Sequence, residues 1–367
     1  MDRLKRFIDI YVPIEACTLR CEYCYISHHR LFNSVLPTFN YSVATFRKAL
    51  SQKRLGGICL FNFCAGGETL LSLSVLQYIK ALLEEGHYVM VVTNATVNKA
   101  FEEMSSWEPD LLERLFFKFS YHYMELKKRN LLDTFFANVR KMRDVGASFT
   151  LELTPYDDLI PYIDELKQRA IEEIGAYPHV TVARDEHVME EKPVLTSLSM
   201  ENYKSVWGKF NSDLFDFKLS IFGVKRKEFC YACLWSGFLN MQTGILQQCY
   251  SSRWRQNIFE DTSKSIEWRP IAYNCLEPHC FNGHAWIALG DIPSIDSPTF
   301  AQERNRVCMD GTEWLRPKMK AFLSQRLYEN NPMLDCIGKR AWQCRNRVDA
   351  FVDKVSRKLI KTYKKYL

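Results

Sequence analysis

No apolar run in the chain approaches the roughly 20 residues that a membrane-spanning helix needs, and the first sixteen residues, MDRLKRFIDIYVPIEA, lack the apolar core of a secretory signal. A spanning protein and a secreted one are thereby set aside, and a cytoplasmic location is the expectation. There is no low-complexity segment and no internal repeat beyond the strand and helix units described below. With 47% hydrophobic and 25% charged residues, disorder is not expected. Positive charge is missing where a nucleic-acid surface would need it. The net charge is +6, but residues 339–367 alone carry +8, which leaves the body at −2. Nucleic acid is therefore not an expected partner of the body.

What the sequence has in quantity is cysteine, 13 in 367 residues. A reducing compartment disfavours a disulfide framework, so metal or redox chemistry is the better reading. Cys17, Cys21 and Cys24 form one group, and Cys230, Cys233, Cys249, Cys275 and Cys280 form a second. Cys59, Cys64, Cys308, Cys336 and Cys344 are scattered, as small buried apolar residues usually are.

Apolar strand-like runs alternate with helical patterns. FIDIYVP from Phe7, GICLFNF ending at Phe63, YVMVVT at 88–93, Leu115 to Tyr123, Ala147 to Thr154 and His179 to Arg184 read as six strands, and helical periodicity separates them. A single helix is expected from Tyr41 through Arg54. Six such units predict a parallel sheet covered by helices, too few to close an eight-stranded barrel. The expected fold is α/β, a partial (β/α)6 TIM-type barrel over 1–200, a small cysteine-rich module over 201–292 and a helical extension over 293–367. In such barrels chemistry sits at the C-terminal ends of the strands.

The stretch CTLRCEYCY places Cys17, Cys21 and Cys24 as C-x3-C-x2-C directly after the first strand. Three thiolates on a short loop suit a four-iron, four-sulfur cluster with one iron left open. The alternative is zinc, which wants four protein ligands, and His28 and His29 follow Cys24 too closely to be its usual partners. Strand two ends in CAGGET, where Gly66 and Gly67 allow close backbone approach; taken alone, Gly66-Gly67-Glu68 reads equally as a helix-starting turn with a favourable acidic residue in its first turn.

This arrangement resembles the radical S-adenosylmethionine (SAM) superfamily. The resemblance implies that Cys17, Cys21 and Cys24 hold a SAM-binding 4Fe-4S cluster and that SAM completes the open iron. It further implies that Gly66, Gly67 and Glu68 receive the SAM amino group, that Tyr25 packs on the adenine side, and that Asn94 and Ser120 contact SAM. His122 would lie beside the substrate. For Ser120 and His122 the plain alternative is a satisfied polar residue pointing into the barrel by strand alternation. Glu152 and Arg184 are candidates by position only, and an ordinary salt bridge explains them equally well.

The second group, FCYACLWSGFLNMQTGILQQCY followed by NCLEPHC, resembles the SPASM/twitch extension of the same superfamily. That implies one auxiliary 4Fe-4S cluster, with Cys230, Cys249, Cys275 and Cys280 as preferred ligands and Cys233 as the spare. A zinc knot drawing on His279 or His284 is the alternative.

The resemblance implies an oxidoreductase- or epimerase-type enzyme. Reductive cleavage of SAM would give a 5′-deoxyadenosyl radical, which would take hydrogen from a C–H bond of a sugar, glycan or similar polar substrate, with epimerisation or dehydrogenation as the outcome. Cys64 and Cys308 are candidate hydrogen donors, and flavodoxin or ferredoxin is the expected reductant. Maturation of a ribosomal peptide is the second expectation, lowered because only sixteen residues precede Cys17 and leave no room for a leader-binding domain. An iron-sulfur electron carrier without SAM chemistry is the third. The tail, with Val348, Phe351, Val352, Val355, Leu359, Ile360 and Tyr363 at helical spacing opposite lysines and arginines, either packs on its own domain or lies on an anionic membrane. ERNR at Glu303–Arg306 either reaches the active site or caps a helix.

Overall fold

The computed structural model describes residues 2–188, 192–250, 254–273 and 275–363, with the backbone alone described for residue 350 and residues 352–363. Six strands follow one another with helices between them: β1 (Arg6–Val12), β2 (Cys59–Ala65), β3 (Tyr88–Thr93), β4 (Leu115–Tyr121), β5 (Ser148–Leu153) and β6 (His179–Val180). Each pairs in parallel with its neighbour, in the order β6-β5-β4-β3-β2-β1. The strands are apolar on both faces because helices cover one face and the rest of the chain fills the other. Ile8, Ile10, Phe61, Phe63, Val89, Val91, Phe117 and Phe119 belong to the core under the helices. The alternate residues Phe7, Leu60, Tyr88, Met90 and Phe116 belong to a second core inside the partial barrel.

Three local expectations shift. Strand six pairs only at His179 and Val180 and does not run to Arg184, because β5 ends at Leu153, ahead of Pro155, and the partner backbone runs out. β4 stops at Tyr121, where His122 becomes the N-cap of helix Tyr123–Lys128. The helix expected from Tyr41 to Arg54 divides into Val43–Ala49 and Gln52–Leu55, since Ser51 takes an extended N-cap conformation between them.

The cysteine-rich module does not stand apart from the sheet. β7 (Ser236–Asn240) pairs in parallel with the outer edge of β1, and β8 (Ile245–Gln247) and β9 (Arg255–Asn257) continue antiparallel, giving one nine-stranded sheet. The turn from β7 to β8 ends at Gly244, with φ +70°, and a Cβ there would lie 2.6 Å from Asn257 Oδ1. That explains a glycine at this point of the cysteine motif.

Residues beyond 280 close the N-terminal end of the barrel. Trp286 packs edge-on against Phe7, and Phe322 of helix Pro317–Leu323 stacks on Tyr88 with ring centroids 3.6 Å apart. The C-terminal helix, Cys336–Tyr363, docks through Asn346 on the carbonyls of Pro270 and Ile271 and through Arg345 on Glu267. Val348 and Phe351 are exposed, whereas the side chains of Val352, Val355, Leu359, Ile360 and Tyr363 lie outside the described residues. Among the described residues no helix is long and apolar enough to cross a membrane.

Candidate active site

Beyond β1 the chain enters the loop that carries Cys17, Cys21 and Cys24. Cys24 N–H donates to the Cys21 carbonyl at 3.2 Å, Ser27 Oγ donates to the same carbonyl at 2.7 Å, and helix Tyr25–His28 begins at once. Burial pushes the Cys17 thiol up to about 11, and the Glu68 charge adds to the effect. Burial raises Cys21 further and Cys24 as well. The sulfurs are spread wider than one tetrahedral ion needs. Zinc bonds of about 2.3 Å hold sulfurs no more than about 4.6 Å apart, and among the described residues no three cysteine sulfurs lie mutually within 4.8 Å. A cluster of several irons bridges wider donors, so the set fits an iron-sulfur group better than one zinc ion.

The GGE segment is strapped to this loop. Gly67 N–H donates to the Ile14 carbonyl at 2.6 Å, and Glu68 N–H donates to the Ala16 carbonyl at 2.9 Å. A Cβ on Gly67 would sit 2.0 Å from the Ala16 oxygen, so no other residue allows that approach. Tyr25 reaches over the same turn and donates from its hydroxyl to the Gly66 carbonyl at 3.3 Å. The Glu68 carboxylate accepts from Leu70 N–H at 3.0 Å, Thr93 Oγ1 at 2.6 Å and Asn94 N–H at 2.8 Å. Three of roughly four lone-pair positions are thereby filled and one remains for a ligand donor. Burial raises its pKa, an effect those three donors oppose. Asn94 acts as a latch: its Nδ2 donates to Thr18 Oγ1 at 2.9 Å and lies 3.6 Å from Cys17 Sγ.

Cys17, Cys21, Cys24, Tyr25, Gly66, Gly67, Glu68, Asn94, Ser120 and His122 all line one cavity of about 350 Å³ at the C-terminal ends of the strands, and Cys64 lines it too. The His122 ring takes a hydrogen bond with the Tyr23 hydroxyl, and burial, aided by Lys118, lowers it to about 4, so the imidazole is neutral near pH 7. Burial pushes the Cys64 thiol up to about 12.

Deeper in the same cavity lies a polar layer that the sequence reading largely missed. Asp9 accepts from Asn62 Nδ2 at 2.8 Å and from the Tyr250 hydroxyl, and burial, against those two bonds, raises it to about 6. Glu152 bridges Lys118 Nζ at 2.8 Å and Arg304 Nε at 3.1 Å. Burial alone would raise its carboxyl, but Arg304 and Lys118 outweigh burial and hold it below its usual range. For Glu152 the structure shows the salt-bridge alternative, and its two partners, Lys118 and Arg304, line the cavity. ERNR does reach the site, through Arg304. A signal was available in FFKFSY, where Lys118 interrupts an apolar strand at an inward position.

Cys308 does not reach the cavity. Its Sγ donates to the Ile174 carbonyl at 3.3 Å, against Gly175, where the helix Ile163–Ile174 ends, so it is corrected as a hydrogen-donor candidate. In the second cysteine group, Cys230, Cys249, Cys275 and Cys280 all pack against the inner core, whereas Cys233 is fully buried in the helix-side core. Cys233 also stands at φ +67°, a conformation that suits glycine. His279 is buried with both ring nitrogens unpartnered, and burial followed by the fields of Arg184, Lys218 and Lys192 lowers it to about 4. His284 turns into the cavity.

Neither a protein-family model nor a curated protein sequence matches the chain. Among solved structures it is similar to SuiB of Streptococcus suis bound to S-adenosylmethionine, with 15% identity and a TM-score of 0.48 over 70% of this chain and 64% of that one. It is also similar to anSMEcpe with bound AdoMet and the Kp18Cys peptide, at 15% identity and a TM-score of 0.49 over 71% and 79% of the two chains. BtrN in complex with AdoMet and 2-DOIA aligns over 90% and 92%, at 13% identity and a TM-score of 0.29. The chain thus spans less than two thirds of the length of SuiB.

Proposed function

We propose that this chain is a radical SAM enzyme that takes a hydrogen atom from a C–H bond of a small polar substrate such as a sugar. The observation that carries the reading is the convergence of the Cys17–Cys24 loop, the GGE strap and the Asn94 latch on a single cavity whose deeper wall is polar. Cys17, Cys21 and Cys24 would hold a 4Fe-4S cluster, and Gly66, Gly67 and Glu68 would hold SAM. Bound there, the pair would supply the reducing electron and the 5′-deoxyadenosyl radical. Cys230, Cys249, Cys275 and Cys280 would hold a second cluster.

The chain's own residues do the rest. Glu68 offers its remaining lone pair to an ammonium, the loop strap fixes where that ammonium sits, and the barrel floor of Trp286 and Phe322 excludes water from below. The polar wall favours a polar substrate of sugar size over an apolar one. Cys64 supports epimerisation as the outcome, because its thiol stays protonated and can return a hydrogen atom to a carbon radical. The resulting sulfur radical would need one electron from the external reductant and one proton from solvent.

The test is anaerobic incubation of iron- and sulfide-reconstituted protein with SAM and dithionite, followed by mass spectrometry of 5′-deoxyadenosine. Product is expected from the native chain and none from the Cys17→Ala, Cys21→Ala, Cys24→Ala triple variant. Absence of product from the native chain would leave an iron-sulfur electron carrier as the better reading. Turnover in D2O should place one deuterium in an epimerised product, and Cys64→Ala should abolish that incorporation. Unchanged labelling in the variant would exclude Cys64 as the donor.

A further inference from the structure

Around the β4 to β6 side of the cavity, cations outnumber carboxylates. Glu152 is shared between Lys118 and Arg304, and Glu186 is shared between Arg184 Nε at 3.2 Å and Lys192 Nζ at 3.0 Å. Lys218, from helix Asp213–Ile221, lines the cavity and donates to Thr181 Oγ1 at 2.7 Å. Among the described residues it is in no ion pair, since both oxygens of Glu152 already face other cations. Burial, and then the fields of Lys218, Arg304, Lys118 and Arg184, hold the His284 imidazole well below its usual range, so this ring adds no charge to the wall. Of the remaining nearby acids, Glu303 is raised well above the carboxylate range by burial and offsets little of the positive charge, and Asp9 on β1, raised to about 6, is already bonded by Asn62 and Tyr250. Burial, and then the fields of Arg184 and Lys118, lower the Lys218 ammonium well below its usual range, so its positive charge in this wall depends on a counter-charge that a ligand would supply.

Taking the cavity as the substrate site proposed above, we infer that the substrate carries an anionic group, a phosphate or a carboxylate, which docks between Lys218, Arg184 and Lys118. Charge-assisted hydrogen bonds from these three donors fix the substrate by its anionic end. The neutral part of the molecule is left toward Cys64 and the SAM side of the cavity. Lys218 therefore acts in substrate recognition, while Glu68 and the glycine strap serve the cofactor.

The experiment is isothermal titration of reconstituted, SAM-loaded protein with glucose 1-phosphate, glucuronate and glucose, alongside Lys218→Met, Lys218→Arg and Arg184→Gln. At least one anionic sugar should bind tenfold or more tightly than glucose, and which one does so tells phosphate from carboxylate. Lys218→Met should weaken that binding tenfold or more, Lys218→Arg should largely restore it, and SAM affinity should stay unchanged. Arg184→Gln, at a separate position, gives a second reading should Lys218→Met fail to fold. Equal binding of glucose and both anions, no binding of either anion, or a loss of SAM affinity in the Lys218 variants would each overturn the inference. SAM cleavage without any sugar is measured in the same samples. Lysine-dependent anion binding without cleavage would sink the proposed activity and leave the anion site standing.

Discussion

At Gly67 a single hydrogen atom decides how closely the GGE turn can pack on the Cys17–Cys24 loop. A methyl group there would overlap the Ala16 carbonyl, whereas at Gly66 the nearest atoms lie at 3.3 and 3.4 Å. Gly67→Ala should cost about 1–3 kcal/mol through overpacking and lower the iron retained by the first cluster loop, while Gly66→Ala should cost much less. Thermal melts and iron content check this, and equal effects at both positions would show that the strap is not what orders the loop. Glycines at the end of strand two were legible in the sequence as a place of close approach. Which of the two meets backbone depended on how β1 and β2 pair, with Val12 opposite Ala65.

Helix and strand are joined beneath the site by His87, which accepts from Cys59 N–H at 3.1 Å and meets the Leu50 carbonyl at 2.9 Å through its other nitrogen. Burial lowers this ring to about 4 from an ordinary 6.5. Above pH 6.5 both folded and unfolded forms are neutral, so the group contributes no pH dependence there. As pH falls from 6.5 to 4 the unfolded chain takes up a proton that the folded chain refuses. Stability therefore drops across that window by about 3 kcal/mol from this residue. Urea unfolding at pH 4 and pH 7 should show that loss shrinking in His87→Gln, and an unchanged loss would exclude His87 as its source. Six strands were readable in sequence because each is a short apolar run between turn signals. The early end of β6 was not, since it depends on where β5 runs out.

Across the whole molecule, one sheet carries both cysteine groups, because β7 adds to the free edge of β1 and so fixes the module beside the strand-end cavity. Tyr250, next to Cys249, reaches Asp9 of β1, which ties the second cysteine group to the cavity through one hydroxyl. If four cysteines ligate the second cluster, Cys249→Ala should lose about half of the reconstituted iron. Cys233→Ala should keep nearly all of it, since Cys233 faces the other core. Iron and sulfide assays on each variant decide this. Iron loss in Cys233→Ala with retention in Cys249→Ala would reverse the assignment.

The sequence by itself determined the strand and helix alternation, the loop with three thiols, the GGE turn and the presence of a second cysteine group. These are local patterns, written in adjacent residues by spacing, apolar period and turn chemistry. Only the tertiary structure decided that Lys118, Arg184, Lys218 and Arg304 face one cavity and that Glu152 pairs with two of them. It also decided that Cys308 stands outside that cavity and that Trp286 and Phe322 floor the barrel. Those residues are separated by tens to hundreds of positions, and no local pattern encodes a partnership that exists only once the sheet has curved and the C-terminal segments have filled it.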